Sequence, residues 1–402
     1  MPSPNRQITF FAQTALITSA WYGLRVMIGY RALALGADPA VLGLITALMA
    51  VPAFLGAMPF GRLSDRIGGG RVIMGGLVLM ITGTAAMILL PSLIALALTG
   101  VCVSAGQTST IVGQQAYVAG LSTSSRRDRD FGNLSACHAV GQLLGPPLVA
   151  AVVSFGSGQH DATVSDTSIG IAATMVCLTL AVLSGIARSR SSHQVVFTPL
   201  DRHPSGARAI ARTPGVWQCL VASSAVLVTV DLVSAYMPLW AVERGVSVTT
   251  VGLLLMVRAL CTLISRIGMG RLVDRFGRKR LLILTLACGV IALGVLPLAG
   301  QWSAIPAMVL LGLALGIPQP LSMAWIVSIT RREDHGAALG LRMTANRLAE
   351  VVVPIAVAGP ATAMGVAGVF WATAVLMAGA VVVTARAEPD ARTDDEPDPP
   401  PG

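Results

Sequence analysis

Residues 61–71 read GRLSDRIGGGR and residues 270–280 read GRLVDRFGRKR, two matching strings of glycine and charge set among long apolar runs. Gly61, Arg62, Asp65, Arg66 and Arg71 stand in the first where Gly270, Arg271, Asp274, Arg275 and Arg280 stand in the second. One such string is an ordinary polar connection, but two invite a search for an internal repeat. Subtracting 61 from 270 gives an offset of 209, which also pairs Ala32 with Ala241, Gly36 with Gly245, Gly43 with Gly252 and Leu44 with Leu253. An offset of 204 pairs RRDRDFG, ending at Gly132, with RREDHG, ending at Gly336.

The runs around these strings set the environment. Of 402 residues, 54% are hydrophobic and 12% charged, about half the charged fraction usual in soluble domains. About 20 apolar residues cross a bilayer core as a helix. Such segments recur near 9–34, 41–60, 72–91, 93–119, 132–155 and 168–187, and again near 215–240, 249–269, 281–299, 303–328, 337–359 and 363–385. They are continuous runs rich in Leu, Ala, Val and Gly, not the short alternating strands of a barrel. The expected fold is therefore an all-α membrane protein of twelve transmembrane helices in two six-helix halves. The expected divisions are 1–187, a polar linker at 188–214, 215–388, and a disordered proline-rich tail at 389–402. The first span is too long for the apolar part of a secretory signal and is read as a retained helix. Within the linker, ARAIART is expected to form a short helix on the inner membrane surface.

Every second connection is basic. Arg62, Arg66 and Arg71 follow helix 2, Arg126, Arg127 and Arg129 follow helix 4, and Arg188, Arg190, Arg202, Arg208 and Arg212 follow helix 6. Arg271, Arg275, Arg278, Lys279 and Arg280 follow helix 8, and Arg331 and Arg332 follow helix 10. The intervening connections carry Asp38, then His160, Asp161 and Asp166, then Glu243 and Arg244. The positive-inside rule then puts both termini in the cytoplasm. The net charge of +9 is mostly this topological signal and requires no nucleic-acid partner.

The pattern G-x-x-x-D-R-x-G-x-x-R between helices 2 and 3, repeated between helices 8 and 9, resembles the major facilitator superfamily over residues 9–385. That resemblance implies two halves rocking around a central site that opens alternately to each side. It also implies that Gly61, Asp65, Arg66 and Arg71, with Gly270, Asp274, Arg275 and Arg280, belong to a cytoplasmic latch. A glycine permits close backbone approach, and a carboxylate can bond to a neighbouring arginine or helix N-terminus. The alternative is a solvated, topology-setting connection. The first copy has Gly69 and Gly70 where the second has Arg278 and Lys279, so the second latch is expected to be the stronger.

Charges and amides inside a membrane are functional candidates by default. With about 1.5 Å of rise per residue, Arg25 and Asp231 lie about 24 Å along helices 1 and 7, and Arg258 and Arg347 about 14–15 Å along helices 8 and 11. All four fall near mid-bilayer. The 209 offset sets Asp231 opposite Tyr22, three residues from Arg25, so an Arg25–Asp231 pair is the leading expected contact. Trp21 and Tyr22 can share the Arg25 face and hold an aromatic or anionic cargo. Equally, the pair can be internally neutralised and only pack the halves together. Arg347 and Glu350 can neutralise each other one turn apart, beside Arg342 and Asn346. Three arginines against two acids leave one positive charge, which favours an anion. Asp231 and Glu350 are the better proton carriers, because a carboxyl removed from water holds its proton more readily unless an arginine opposes it. His138 is a third candidate, placed near the cytoplasmic end of helix 5.

Gln107, Gln114 and Gln115 on helix 4 and Gln319 between Pro318 and Pro320 on helix 10 are candidate lining residues, the prolines also marking a hinge. Against the proton-coupled drug exporters of the family, GQLLGPPLVA matches at Gly141, Gly145 and Pro146 but lacks the closing glycine pair, and Cys102 stands where an arginine is usual. Sugar-porter signatures are not evident. The expected function is proton-coupled efflux of a small amphipathic or anionic compound by a monomer in a bacterial inner membrane. The alternatives are proton-linked uptake of an organic acid and a transporter-like sensor or scaffold. No nucleophile–base arrangement or metal-ligand spacing points to an enzyme, a cofactor or a metal, and the six dispersed cysteines read as small core residues.

Overall fold

The computed structural model describes residues 4–121, 127–157, 164–189, 210–267, 269–330 and 335–386. Within them every regular element is a helix. In chain order these are α1 Pro4–Ala34, α2 Pro39–Ile67, α3 Gly69–Leu89, α4 Leu93–Leu121, α5 Arg127–Ser157 and α6 Val164–Ser189. There follow α7 Val216–Arg244, α8 Val248–Ile267, α9 Met269–Phe276, α10 Arg278–Val295, α11 Ala304–Gly316, α12 Pro318–Ile329 and α13 His335–Ala385. Ten stretches among the described residues are long and apolar enough to cross a bilayer, the last running from Ala338 to Ala385. Most of the 188–214 linker and all of the 389–402 tail lie outside the described residues, and ARAIART is described only from Ile210 onward.

Three boundaries differ from the expectation in ways that physics explains. Helix α2 does not stop at residue 60 but carries the first motif string to Ile67. Its Gly68 then takes φ +88 and turns the chain directly into α3, as Gly277 at φ +76 does between α9 and α10. The sharp turn therefore belongs to these glycines, whose missing Cβ removes the penalty for positive φ. A Cβ at Gly61 or Gly270 would meet nothing within 4 Å, so neither serves a close approach. The run at 303–328 is divided into α11 and α12 at Ile317, just before Pro318, where proline withholds a backbone donor. The last two expected helices meet not at 360–362 but at Gly365, with φ 60 and ψ −147. A Cβ on Gly368 would collide with the Pro360 carbonyl. Eight residues of straight helix span about 12 Å, so the chain bends back sharply there.

Small residues set the packing. Gly69, Gly76 and Gly83 recur every seven residues on α3, where Gly69 faces Gly113, Gly76 faces Gly106 and Gly83 faces Val103 of α4. Gly69 has a backbone reason to be small: a Cβ there would stand 2.5 Å from the Gly113 carbonyl and 2.7 Å from the Tyr117 nitrogen. The basic pair absent from the first motif copy is thus partly excluded by packing.

Helices α1–α6 meet those from α7 onward through close approaches near the 34–39 and 244–248 connections. Gly29 admits Pro238 and Ala235, Gly43 admits Tyr236 and Pro354, and Gly252 admits Pro146, Pro147 and Ala150. Tyr236 Oη donates to the Pro39 carbonyl at 3.0 Å. Arg66, Arg71, Asp274, Arg275 and Arg280, at the other ends of their helices, are exposed.

Candidate functional site

Between these helices lies a partly open cavity of about 170 Å³. Each helix reaches it with one face. Helix α1 offers Thr18, Trp21, Tyr22 and Arg25; α2 offers Thr46, Met49, Ala50 and Ala53; α4 offers Ser104, Gln107, Thr108 and Ile111. All three sets follow the spacing i, i+3, i+4, i+7 that a helix lays along one side. Helix α5 adds His138, α7 adds Leu227, Val228 and Asp231, and α13 adds Arg347, Glu350 and Pro354.

Two ion pairs organise this space. Arg25 Nη1 lies 2.7 Å from Asp231 Oδ1 and joins α1 to α7, with the side chains 11% and 21% exposed. The same guanidinium lies over the Trp21 ring, 5.6 Å from its centroid. Arg347 Nη1 donates to Glu350 Oε1 at 3.0 Å and Oε2 at 2.8 Å within α13. Tyr22 lines the same cavity, three residues before Arg25 on α1. The arrangement can hold a small molecule between an aromatic face and a charged wall, and either arginine can exchange its carboxylate for a ligand anion.

His138 reaches the cavity although its place in the sequence suggested one end. Helix α5 starts at Arg127, five residues earlier than expected, so His138 lies about 17 Å along it. Its Nε2 is 3.0 Å from Gln114 Oε1. Gln114 itself is buried and does not line the cavity, being two turns from Gln107.

Gln319 and Asn346 lie elsewhere. Gln319 Nε2 donates to the Ser223 carbonyl at 2.8 Å, and Arg342 Nη2 donates to Gln319 Oε1 at 2.5 Å and to Ser322 Oγ at 3.2 Å. Ser224 Oγ donates to Asn346 Oδ1 at 3.0 Å. These bonds gather around Ser223 and Ser224, about 12 Å along α7 from Asp231, so both residues join a separate polar cluster. Arg258 is 2% exposed and also stands outside the lining set. Asp274 and Arg275 make no ion pair among the described residues, and Arg275 instead lies 5.5 Å over its neighbour Phe276. The Asp65 side chain lies outside the described residues. Among the described residues no cluster of His, Cys, Asp or Glu could hold a metal.

Thr18, Thr46, Met49, Ser104 and Thr108 were not singled out from the sequence. The signal was the helical spacing from Trp21 and Gln107, but nothing in one sequence tells which face of α2 looks inward.

The sequence profile of the Major Facilitator Superfamily matches residues 10–247 and again 220–401. The class C tetracycline resistance protein of Escherichia coli is 27% identical over 331 residues, which is 78% of each chain. The uncharacterised MFS-type transporter YcaD of Salmonella dublin is 27% identical over 192 residues, covering 47% of this chain and 48% of that one. Among solved structures, a bacterial homologue of the human lysosomal transporter Spinster, inward-facing and occupied, superposes with a TM-score of 0.76 at 15% identity, covering 96% of this chain and 98% of the other. The nucleoside transporter NupG superposes with a TM-score of 0.73 at 11% identity, covering 95% and 98%. At these identities the likeness is one of fold.

Proposed function

The chain belongs to the Major Facilitator Superfamily of membrane transporters, and from that premise we propose that it exports a small amphipathic or anionic compound by proton-coupled alternating access. The observation that carries this reading is the Arg25–Asp231 pair at 2.7 Å, which ties α1 to α7 at the wall of the cavity. A proton on Asp231 removes the charge that holds Arg25, and a ligand anion competes for the same guanidinium. Proton and cargo thus act on one bond, which couples their movements, and the sign of that coupling, exchange or co-transport, is what the vesicle test reads. Glu350, paired with Arg347, and His138 offer further proton positions on the same wall.

In this reading the chain makes twelve spans, counting α1, joining α8 with α9 and α11 with α12, and dividing α13 at Gly365. Residues 1–187 and 215–388 form the two halves that rock, both termini face the cytoplasm, and the protein resides as a monomer in a bacterial inner membrane. The close approaches near residues 34–39 and 244–248 then form an outer seal, with the motif strings on the inner side. The tetracycline resistance protein of E. coli, similar over 78% of its length, supports export over uptake.

The test uses energised everted vesicles, a pH-sensitive dye, and a panel of tetracycline, organic acids and cationic dyes, with Asp231→Asn alongside. Proton release evoked by one compound and abolished in the variant supports antiport. Silence from correctly inserted protein, or a signal unchanged by the substitution, sinks it. Uptake of an organic acid would instead appear as accumulation in right-side-out vesicles.

A further inference from the structure

His138 brings an imidazole ring to the cavity wall and turns one nitrogen away from it: Nε2 lies 3.0 Å from Oε1 of Gln114, which is buried behind the wall. The other nitrogen, Nδ1, makes no hydrogen bond among the described residues and is not closed off from open space. The open space that His138 lines is the cavity. Which nitrogen carries the proton follows from the internal repeat. The offset of 204 carries His138 to Arg342, and one of 205 carries Gln114 to Gln319. In the second half, Gln319 Oε1 accepts from Arg342 Nη2 at 2.5 Å, while Gln319 Nε2 donates to the Ser223 carbonyl at 2.8 Å. A guanidinium only donates, so the orientation of that amide is fixed. Gln114 in the same orientation accepts from Nε2–H of His138, which leaves Nδ1 with a lone pair.

The hydroxyls of the same wall are disposed alike. Thr18, Thr46 and Thr108 donate to the carbonyls of Thr14, Leu42 and Ser104 at 2.9 Å each, and Ser104 Oγ donates to the Met49 carbonyl. A hydroxyl has one proton to give, so these four side chains retain lone pairs alone. Gln114 meanwhile keeps its Nε2 buried without a partner. An unbonded buried donor is costly, and an apolar side chain of similar size would avoid that cost, so packing alone does not call for an amide here. We propose that His138 Nδ1 is a cargo contact that accepts a hydrogen bond from a hydroxyl or N–H group, that Gln114 is the positioning residue which fixes the ring for it, and that the cavity therefore favours amphipathic compounds carrying such donors, phenols and primary amides among them. The apolar body of the cargo lies against Trp21, Ile111, Leu227 and Val228. Neither ion pair has to open for this contact to form. This inference rests on the cavity being the cargo site, as the transport reading holds, but not on the direction of transport or on proton coupling.

The test is equilibrium binding to detergent-purified protein at about pH 8, where an ordinary imidazole is neutral, read by Trp21 fluorescence against a Trp21→Phe control. The probes are matched pairs, 4-butylphenol with 4-butylanisole and octanamide with N,N-dimethyloctanamide, in which methylation removes the donor. Wild type is expected to bind at least one donor-bearing member about tenfold more tightly than its methylated partner, the upper range for a neutral hydrogen bond. His138→Asn sets an amide oxygen near the place of Nδ1 and should keep most of that preference, whereas His138→Gln extends toward Gln114 and should lose it. In protein carrying 15N-labelled histidine, the His138 signal, assigned by its loss in His138→Asn, should show the Nε2–H tautomer alone. Gln114→Leu should show both tautomers and lower the preference several-fold, and unchanged tautomer and preference there would remove the positioning role. A preference that survives His138→Gln, or one lost equally in both folded His138 variants, would overturn the cargo contact. Should the variants fail to fold, the wild type decides: equal binding within each pair, no saturable binding of a donor-bearing probe, or a ring protonated on Nδ1 also overturns it. The expected preference beside a failed vesicle assay would remove the antiport reading and leave the His138 contact standing.

Discussion

Asp231 and Glu350 differ in how their partners hold them, and the difference has measurable consequences. Asp231 is bonded across two helices and Glu350 within one. Removing the Asp231 charge leaves Arg25 partly buried with no counter-ion. For a pair exposed by 11% and 21%, the cost lies between that of surface and buried bridges, about 2 kcal/mol. Asp231→Asn is therefore expected to lower the melting temperature by several degrees in purified protein and to cut gradient-driven transport at least tenfold at unchanged abundance. A scaffold would show the first effect without a transport activity to lose. Glu350→Gln keeps the shape and removes a proton position. We expect cargo exchange between equilibrated vesicle compartments to persist while accumulation driven by a pH gradient falls at least tenfold, and equal loss of both would assign Glu350 to cargo binding instead. Sequence spacing brought Arg347 to Glu350, and the repeat offset set Asp231 opposite Tyr22, three residues from Arg25, because both relations follow from helix geometry and from the duplication. The burial of Arg258 beyond the wall and the rotation of Gln319 and Asn346 toward Ser223 and Ser224 had no such local cause.

Among the helices, glycines decide where elements meet and where they turn. Gly29 lies 2.8 Å from Pro238 Cγ by its absent Cβ, and Gly43 lies 2.6 Å from Tyr236 Oη, so bulk at either site wedges α1 or α2 away from α7. Gly29→Leu is expected to reduce transport more than tenfold without reducing insertion. It should also raise maleimide labelling of a cysteine placed at Thr46, applied from the side of the 34–39 connection. Unchanged labelling would mean that this approach is packing and not a seal. Gly365 is a different case. Its φ of 60 and ψ of −147 fall in a region kept almost entirely for glycine, and a Cβ would stand 2.7 Å from the Glu243 carboxylate. Glu243 Oε1 accepts the Val366 amide at 3.0 Å and so satisfies the first donor of the helix that follows. Gly365→Ala should destabilise the protein by about 1–3 kcal/mol, read as lower yield and melting temperature. Prolines at 318 and 320 announced the break between α11 and α12, whereas the alanine- and glycine-rich stretch around Gly365 gave no such notice, since glycine marks a turn only when its surroundings force positive φ.

At the scale of the whole molecule, the exposed motif strings carry a prediction about conformational balance. If they latch the inner side when the outer seal opens, Asp274→Asn should slow transport several-fold while leaving the affinity for a carboxylate probe unchanged. A change in affinity with no change in rate would assign Asp274 to the cargo path. Cysteines at Arg66 and Arg275 should be labelled from one and the same side of the membrane, and opposite sides would break the parallel relation of the two halves. The all-helical character, the repeat and the alternation of basic connections could be read from the chain, because hydrophobic run length, duplication and the cost of moving arginine across a bilayer are written residue by residue. Most helix ends, at α4 and α8 for instance, were within a few residues of expectation for the same reason. Which face of each helix looks into the cavity, that Gln114 meets His138, and that the close approaches gather toward one end came only with the tertiary structure. These depend on helix rotation and on contacts between residues about 200 positions apart, and in an apolar solvent a helix buried on one side and one facing lipid on that side present almost the same sequence.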